Sequence, residues 1–172
     1  MVVQMAKAVG AKVVTTVGSA DKVALCQSWG ADRVLNYKTD DVAAGIRDFT
    51  AGKGVQVWYE TQSEPDFVRT VELLAPRGRM VIIAGRKVQP PFPLGPFRGK
   101  WLSLYGFSMF NATPEEQRRC ADDINRWLAE KKLRVVIGRT FRLAESAEAH
   151  RLQEGNTLHQ AGTLTGKIVL VP

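Results

Sequence analysis

A short apolar strand in the sequence ends in residue types that favour an anion. The run AKVVTTV, residues 11–17, is followed by Gly18 and Ser19, and Lys22 then lies in the first turn of the next predicted helix. A cation at that position opposes the helix dipole, at a cost of roughly 0.3–1 kcal/mol. An anion held between Lys22 and the free amide groups of the helix N-terminus would remove that cost. The spacing therefore indicates a site for a phosphate group.

The same strand end carries no acidic residue. In dinucleotide-binding folds, Asp or Glu at the end of the second strand bonds the ribose hydroxyl of NAD. Here Gly18 and Ser19 stand in that place, so the 2′-phosphate of NADP fits the pattern better. Tyr37, which follows the third strand, would add a hydroxyl to the same pocket. The alternative is an exposed lysine and a half-buried tyrosine without a ligand, and the residues alone leave it open.

Short apolar strands alternate with amphipathic helices along most of the chain. This alternation predicts an α/β fold, a doubly wound parallel sheet with helices on both faces. Strands are expected at residues 11–17, 34–36, 55–60, 79–84, 102–109, 137–141 and 167–171. Helices are expected at residues 1–10, 40–49, 65–75, 114–131 and 144–152, and one more is expected to start near residue 20.

The strand at residues 11–17 is interpreted as the second strand of a dinucleotide-binding unit. The first strand and its glycine-rich loop are expected just upstream, so the sequence leaves open whether Met1 is a true start. We expect residues 1–132 to form an incomplete dinucleotide-binding domain, and residues 133–172 to add a strand, a helix and a strand. Ligands of such folds bind at the carboxyl ends of the strands.

Several local features are also predicted. Thr39 is expected to cap the helix at residues 40–49, and Thr113 with Glu116 forms the pattern of a capping box. Residues 89–99 carry four prolines and are expected to form a rigid loop. The tryptophans are assigned to the core rather than to exposed stacking positions; those concerned are Trp58, Trp101 and Trp127.

Composition restricts the function only coarsely. The net charge of +7 implies an anionic partner or a solvated basic surface, and the basic residues are too scattered to favour a nucleic-acid partner. No apolar run approaches ~18 residues, so a membrane span is not expected. Cys26 and Cys120 lie far apart in predicted helices and suggest neither a disulfide framework nor a metal cluster. They fit a reducing cytoplasm.

The run AKAVGAKVVTTVGSADKVALCQSWGADRVLNY resembles the cofactor domain of the medium-chain dehydrogenase/reductase superfamily. It looks like the quinone oxidoreductase branch, which includes zeta-crystallin. Further matches follow in order: GKGVQVWYE, LLAPRGRMVIIAG, FPLG and GKIVLVP. The resemblance covers nearly the whole chain, as the C-terminal half of such a protein.

The resemblance implies NADPH as the cofactor, and hydride transfer from NADPH to a quinone or another activated carbonyl or alkene, without zinc. By the resemblance, Gly18, Lys22 and Tyr37 match the positions that hold the 2′-phosphate of NADP. Ser19 and Gly85 are also assigned to the cofactor site. By their position in the family, Phe107 and Ser108 are expected near the nicotinamide, and the favoured alternative is a purely structural role at the end of the strand. No catalytic residue is assigned, and His150 and His159 are expected to have surface or packing roles.

The resemblance also bears on assembly. It implies a homodimer through the edge strand from Leu102 to Met109, which has no proline and no charge. Tyr105 is expected to donate to the ladder between the two copies. Residues 133–172 would pack on an N-terminal catalytic domain that this sequence does not contain. The 172-residue chain alone is therefore expected to have little or no reductase activity.

Two alternatives are kept open. One is a zinc-type alcohol dehydrogenase of the same superfamily, whose metal ligands would lie in the other half of the protein. The other is a non-catalytic nucleotide- or RNA-binding protein, for which salt-dependent binding to RNA without NADPH oxidation would be the signature.

Overall fold

The computed structural model describes residues 1–85, 88–159 and 161–172. The chain forms two compact units. One contains residues 12–121, and the other combines residues 1–11 with residues 122–172. The division of the chain into domains at residues 132 and 133 stays a prediction.

The helices and strands follow one another in nearly strict alternation. The strands are β1 (Val14–Val17), β2 (Arg33–Asn36), β3 (Val55–Glu60), β4 (Leu74–Ile82), β5 (Ser103–Gly106), β6 (Ile137–Arg142) and β7 (Lys167–Val171). The α-helices are α1 (Val2–Ala8), α2 (Ala20–Ser28), α3 (Val42–Phe49), α4 (Phe67–Leu73), α5 (Leu94–Gly99), α6 (Pro114–Ala129) and α7 (Ser146–Thr157). Short 3-10 helices span Met109–Asn111 and Leu143–Glu145.

All strand pairs in the larger unit are parallel. β1 pairs with β2, and β3, β4 and β5 form a second sheet in that order. Parallel neighbours require crossover connections, which the intervening helices provide. The predicted α/β fold with parallel sheets is therefore confirmed.

The apolar core of the larger unit has two clusters. The first contains Val71, Leu74, Met80 and Leu102. The second contains Leu35, Ile46 and Leu73. Val55 and Trp58 of β3 pack against both clusters, so β3 connects the cores beneath the two sheets. Full burial of one such side chain contributes roughly 1.5–3 kcal/mol.

The smaller unit is built on the parallel pair β6 and β7, with α7 in the connection between them. The buried side-chain amide of Gln4 both donates to and accepts from the backbone of Arg134, as a peptide group of a neighbouring strand would. The side-chain amide of Gln4 donates to the carbonyl of Arg134 at 3.0 Å and accepts from the Arg134 N–H at 2.7 Å. This pair of bonds ties α1 to the chain that leads into β6.

Two helix starts differ from the sequence prediction because another residue is the cap. The Asp41 carboxylate accepts from the Ala44 N–H at 2.9 Å, so α3 starts at Val42 and Thr39 is not its cap. The Asp66 carboxylate likewise accepts from the Arg69 N–H at 3.0 Å, and α4 starts after it. The capping box of α6 is confirmed by its two reciprocal bonds, of 2.8 and 3.2 Å.

The rigid loop predicted at residues 89–99 is wrong in its second half, where α5 forms. Pro93 is the N-cap and Pro96 lies in the first turn, where proline does not remove an intrahelical hydrogen bond. The strand expected from Leu102 to Met109 is also shorter. It ends at Gly106, and a 3-10 helix begins at Met109.

The core assignment of Trp101 is wrong, since this side chain is 69% exposed. Its backbone is left-handed, with φ 58°, because it follows the C-cap of α5, and the Leu102 N–H after it donates back to the Phe97 carbonyl at 3.2 Å. Trp58 and Trp127 are half-buried. Within the described ranges, no helix is both long and apolar enough to cross a membrane.

Glu60, the last residue of β3, is an acidic side chain only 1% exposed. Its two oxygens have different donors. The indole N–H of Trp58 donates to Oε2 at 3.0 Å, and the backbone N–H of Gln62 donates to Oε1 at 2.8 Å. Burial of a carboxylate is tolerated only when its oxygens are hydrogen-bonded, so these bonds fix the chain that leaves β3.

The side chain of Lys100, which follows α5, binds the C-terminal end of α4. Its ammonium donates to three backbone carbonyls: Val71 at 2.9 Å, Glu72 at 2.7 Å and Leu74 at 2.8 Å. Three bonds use every proton of the group. Carbonyls at a helix C-terminus have no intrahelical partner, so Lys100 supplies what α4 lacks at its end.

We expect Lys100→Met to lower the free energy of unfolding by about 2 kcal/mol, because three carbonyls lose a charged donor while the apolar stem is kept. Urea unfolding followed by circular dichroism measures the change. Lys53→Met, in an exposed turn, is the matched control. A loss no larger than that of the control would contradict the assigned role.

We expect Glu60→Gln to lower the free energy of unfolding by roughly 1–3 kcal/mol. The amide has the shape of the carboxylate, but its NH2 group must face either the Trp58 indole N–H or the Gln62 N–H, and one donor loses its acceptor. The control is Glu64→Gln, at an exposed position of the same connection. Equal stability of the two variants in urea would show that the two bonds do not stabilise the fold.

Candidate functional site

The carboxyl end of β1 leads into α2 through a two-residue turn. Ser19 is the N-cap residue of α2, with extended backbone at φ −159° and ψ 156°. Its hydroxyl makes no capping hydrogen bond to the helix. The amide groups of the first turn of α2 thus have no side-chain cap from Ser19, and the Asp21 carboxylate accepts from the backbone N–H groups of Asp21 and Lys22.

Gly18 lies against the hydroxyl end of the Tyr37 side chain. A Cβ at residue 18 would lie 2.8 Å from Cζ of Tyr37, and closer still to the phenolic oxygen. The backbone N–H of Tyr37 donates to the Val17 carbonyl at 3.0 Å, which continues the β1–β2 pairing by one residue. Glycine is thus the residue that lets Tyr37 pack over this turn. The ring itself is 59% exposed.

Hydrogen bonds to the carboxylate of Asp40 stabilise the turn that contains Tyr37. The Asp40 carboxylate accepts from the Asn36 N–H at 2.8 Å and from the Thr39 hydroxyl at 2.9 Å. The bond from the Asn36 backbone, followed by that from Thr39, lowers the pKa of Asp40. An ionised Asp40 thus holds the turn in place while the Tyr37 side chain stays accessible.

Lys22 lies in the first turn of α2, half-exposed, one residue after the exposed Asp21. A hydrogen bond from the Ser19 side chain lowers the pKa of the Asp21 carboxyl, and the charge of Lys22 is a lesser cause. Asp21 was missed by the sequence analysis, although its place beside Lys22 in the same turn was a usable signal. An anion at this turn would share Ser19 and Lys22 with that carboxylate.

The remaining assigned residues lie at the carboxyl ends of β4 and β5. Gly85 follows β4 with φ 93°, and a Cβ there would lie 3.5 Å from Pro65 and from Val88. Phe107 is exposed, and its N–H donates to the Ile82 carbonyl at 3.0 Å. Ser108 is the N-cap of the following 3-10 helix. Because β3, β4 and β5 are parallel strands of one sheet, the buried Glu60 at the end of β3 lies at the same edge of this sheet.

The structure thus brings Gly18, Ser19, Lys22 and Tyr37 together at one edge, and Gly85, Phe107 and Ser108 at the end of the other sheet. Their role in binding a cofactor stays a prediction.

Other reactive side chains are dispersed. In the part of the chain that the structure describes, no group of three or more His, Cys, Asp and Glu residues could hold a metal ion. His150 and His159 are exposed. Cys26 and Cys120 are free thiols, and burial raises the pKa of Cys26.

Comparison with known proteins places this geometry in a family. Residues 1–126 match the family model described as zinc-binding dehydrogenase. A quinone oxidoreductase of Pseudomonas aeruginosa is 29% identical over 180 residues, which cover 98% of this chain and 51% of that protein. The chain spans about half the length of the curated relatives it matches.

Solved structures agree in fold. The quinone oxidoreductase of Escherichia coli, complexed with NADPH, is 27% identical with a TM-score of 0.77, covering 98% of this chain and 52% of that one. An NAD-dependent alcohol dehydrogenase is 30% identical with a TM-score of 0.80, covering 99% of this chain and 46% of that one. These likenesses confirm the resemblance to the quinone oxidoreductase branch of the medium-chain dehydrogenases. The chain belongs to the zinc-binding dehydrogenase family.

Proposed function

We propose that this chain is the NADPH-binding part of a quinone-reductase-type oxidoreductase, which transfers hydride from NADPH to a quinone or another activated carbonyl or alkene. One observation carries the proposal: the ring of Tyr37 packs on Gly18 at the end of β1, and Lys22 lies in the helical turn that follows. The bound nicotinamide would supply the hydride chemistry, and the protein would orient it and exclude water.

The groups around this turn suit the 2′-phosphate of NADPH. Lys22 would supply the positive charge, Ser19 and Tyr37 would supply hydroxyl donors, and the first amides of α2 would complete the site. No acidic residue stands at Gly18 or Ser19 to accept from the 2′-hydroxyl of NADH. Asp21, which already accepts from the Ser19 hydroxyl and from the backbone N–H groups of Asp21 and Lys22, would have to release these donors to the phosphate.

The strand order supports an assignment of the missing part of the cofactor site. Dinucleotide-binding sheets have the order 3-2-1-4-5-6, with the pyrophosphate loop after strand 1. In that order, the pair β2-β1 of this chain corresponds to strands 3 and 2 of the dinucleotide-binding sheet, and the sheet β3-β4-β5 corresponds to strands 4, 5 and 6. A strand between β1 and β3 would join them, and we assign it, with its glycine-rich loop, to a longer protein. The 172-residue chain alone should therefore show little reductase activity.

The smaller unit has surfaces suited to an additional domain. β6 and α7 border a concavity of about 490 Å³, whose lining combines Phe141 and Leu152 with the polar or charged side chains of Arg139, Thr140, Glu148 and Arg151. Leu143 and Leu170 are exposed apolar residues of the same unit. We assign residues 133–172 to packing against an N-terminal catalytic domain. The free thiols of Cys26 and Cys120 support a cytoplasmic location.

We also assign the free edge of β5 to a homodimer. The N–H of Phe107 faces β4, and backbone groups alternate along a strand, so those of Tyr105 face β4 as well. The expectation that Tyr105 donates to a second copy is therefore wrong. Leu104 and Gly106 present their backbone groups outward, and they would form the ladder.

We expect Lys22→Ala to weaken NADPH binding roughly 10- to 100-fold, since a charge-assisted contact contributes about 1.5–3 kcal/mol. NADH, which has no 2′-phosphate, should bind almost as before. Calorimetric titration of both cofactors measures the two effects, and Lys12→Ala, at the amino end of β1, is the control. Equal losses for NADPH and NADH would reject the assignment of Lys22 to the phosphate.

A further inference from the structure

The first turn of α2 is capped by a residue of its own rather than by the residue before it. A serine at the N-cap position ordinarily accepts a hydrogen bond from the second or third amide of its helix. Ser19 is the N-cap of α2, and its side chain makes no such bond. Instead, the carboxylate of Asp21 accepts from its own backbone N–H, from that of Lys22 and from the Ser19 hydroxyl. Ser19 therefore acts as a donor here, and Asp21 is the acceptor that satisfies the turn.

Asp21 also supplies the negative charge that this turn favours. The positive end of the helix dipole attracts an anion, and Lys22 alone would oppose the dipole. The Asp21 carboxylate interacts with both, since it accepts from the helical amides and is attracted by the charge of Lys22. In the ligand-free chain, the turn after β1 thus already holds an anionic group of its own.

The donors that Asp21 uses are those assigned above to the 2′-phosphate of NADPH. The phosphate would bind the Ser19 hydroxyl and the first amides of α2, next to the charge of Lys22. Each N–H or O–H has a single proton to donate, so the carboxylate and the phosphate compete for it. Binding of the phosphate is therefore an exchange of one acceptor for another.

This exchange lowers the affinity for a charged ligand in particular. The Asp21 side chain is exposed, so it can turn into solvent without disturbing the core. On the same turn of the helix it still lies close to the phosphate, and like charges repel. The uncharged 2′-hydroxyl of NADH meets no comparable repulsion.

We propose that Asp21 is a specificity-determining residue of the cofactor site, an internal competitor that the 2′-phosphate must displace. The inference rests on the NADPH site proposed above. Asp21 reduces the affinity for NADPH without an equal effect on NADH, and so narrows the preference that Lys22, Ser19 and Tyr37 create. While no ligand is bound, the same carboxylate keeps the donors of α2 satisfied.

Calorimetric titration of the 172-residue chain with adenosine 2′-monophosphate tests the proposal. Asp21→Asn removes the charge and keeps the shape of the side chain, and we expect it to lower the dissociation constant roughly 3- to 10-fold. Asp48→Asn, at an exposed position of α3, makes the same change of net charge and is the matched control. Adenosine 5′-monophosphate should bind the two variants alike.

A double-mutant cycle distinguishes competition from a general effect of charge. In the wild type, Ser19→Ala removes a donor from the carboxylate and from the phosphate, so the two losses partly cancel. In an Asp21→Ala background only the phosphate loses that donor, and Ser19→Ala should cost about threefold more affinity for adenosine 2′-monophosphate there. Equal costs in the two backgrounds would show that the hydroxyl is not exchanged, and would overturn the proposal.

The wild-type chain provides a measurement that needs no folded variant. As adenosine 2′-monophosphate saturates the chain, the side-chain carboxyl carbon signal of Asp21 in NMR spectra should move toward that of a free aspartate, because its donors pass to the phosphate. A signal that keeps its position at saturation would overturn the displacement.

The outcomes separate this inference from the proposed function. If the two adenosine monophosphates bind the wild type and Asp21→Asn with equal affinity, the phosphate site is wrong and the inference fails with it. If the 2′-isomer is preferred, but Asp21→Asn tightens its binding no more than Asp48→Asn does, Asp21 is not a competitor and the proposed function stands. Weaker binding of the 2′-isomer to Asp21→Asn would overturn the inference in the same way.

Discussion

The packing of the Tyr37 ring on Gly18 determines the shape of the edge at which this chain can bind a ligand. A Cβ at residue 18 would lie 2.8 Å from Cζ of Tyr37, so a larger residue there would displace the phenol from its place over the turn after β1. The backbone then extends through Ser19 and enters α2 at Ala20, which directs the first helical amides toward the same edge. The bond from the Tyr37 N–H to the Val17 carbonyl locks the two strand ends to each other.

Two charged side chains stabilise the sheet of β3, β4 and β5. Their burial next to the apolar core would cost free energy if their polar atoms were not hydrogen-bonded. Glu60 binds the chain that leaves β3, and Lys100 closes the last carbonyls of α4. Val55 and Trp58 connect the two cores beneath these groups. The residues proposed to bind the 2′-phosphate lie at the end of one sheet, and those assigned near the nicotinamide lie at the end of the other. In this proposal the dinucleotide would bind across both strand ends, as in other doubly wound folds.

Much of the fold follows from apolar periodicity alone. β3 and β7 coincide with their predicted bounds because each is rich in β-branched, aromatic and aliphatic residues and follows a glycine. The helix starts were harder, since Asp41 and Asp66 stand beside other residues that can cap or begin a helix, and only the backbone geometry selects between them. Proline suggested a loop where Pro93 and Pro96 begin a helix. Trp101 was placed in the core because a left-handed backbone leaves no mark in the sequence.

The central claim is that the edge around Gly18, Lys22 and Tyr37 recognises a 2′-phosphate, and adenosine 2′-monophosphate tests it without the rest of NADPH. Adenosine 5′-monophosphate has the same composition and charge and serves as the comparison. Titration of the 172-residue chain, followed by shifts of the Tyr37 ring signals in NMR spectra, should give at least about tenfold tighter binding for the 2′-isomer. Equal affinity for the two isomers, or shifts that avoid Tyr37, would contradict the account.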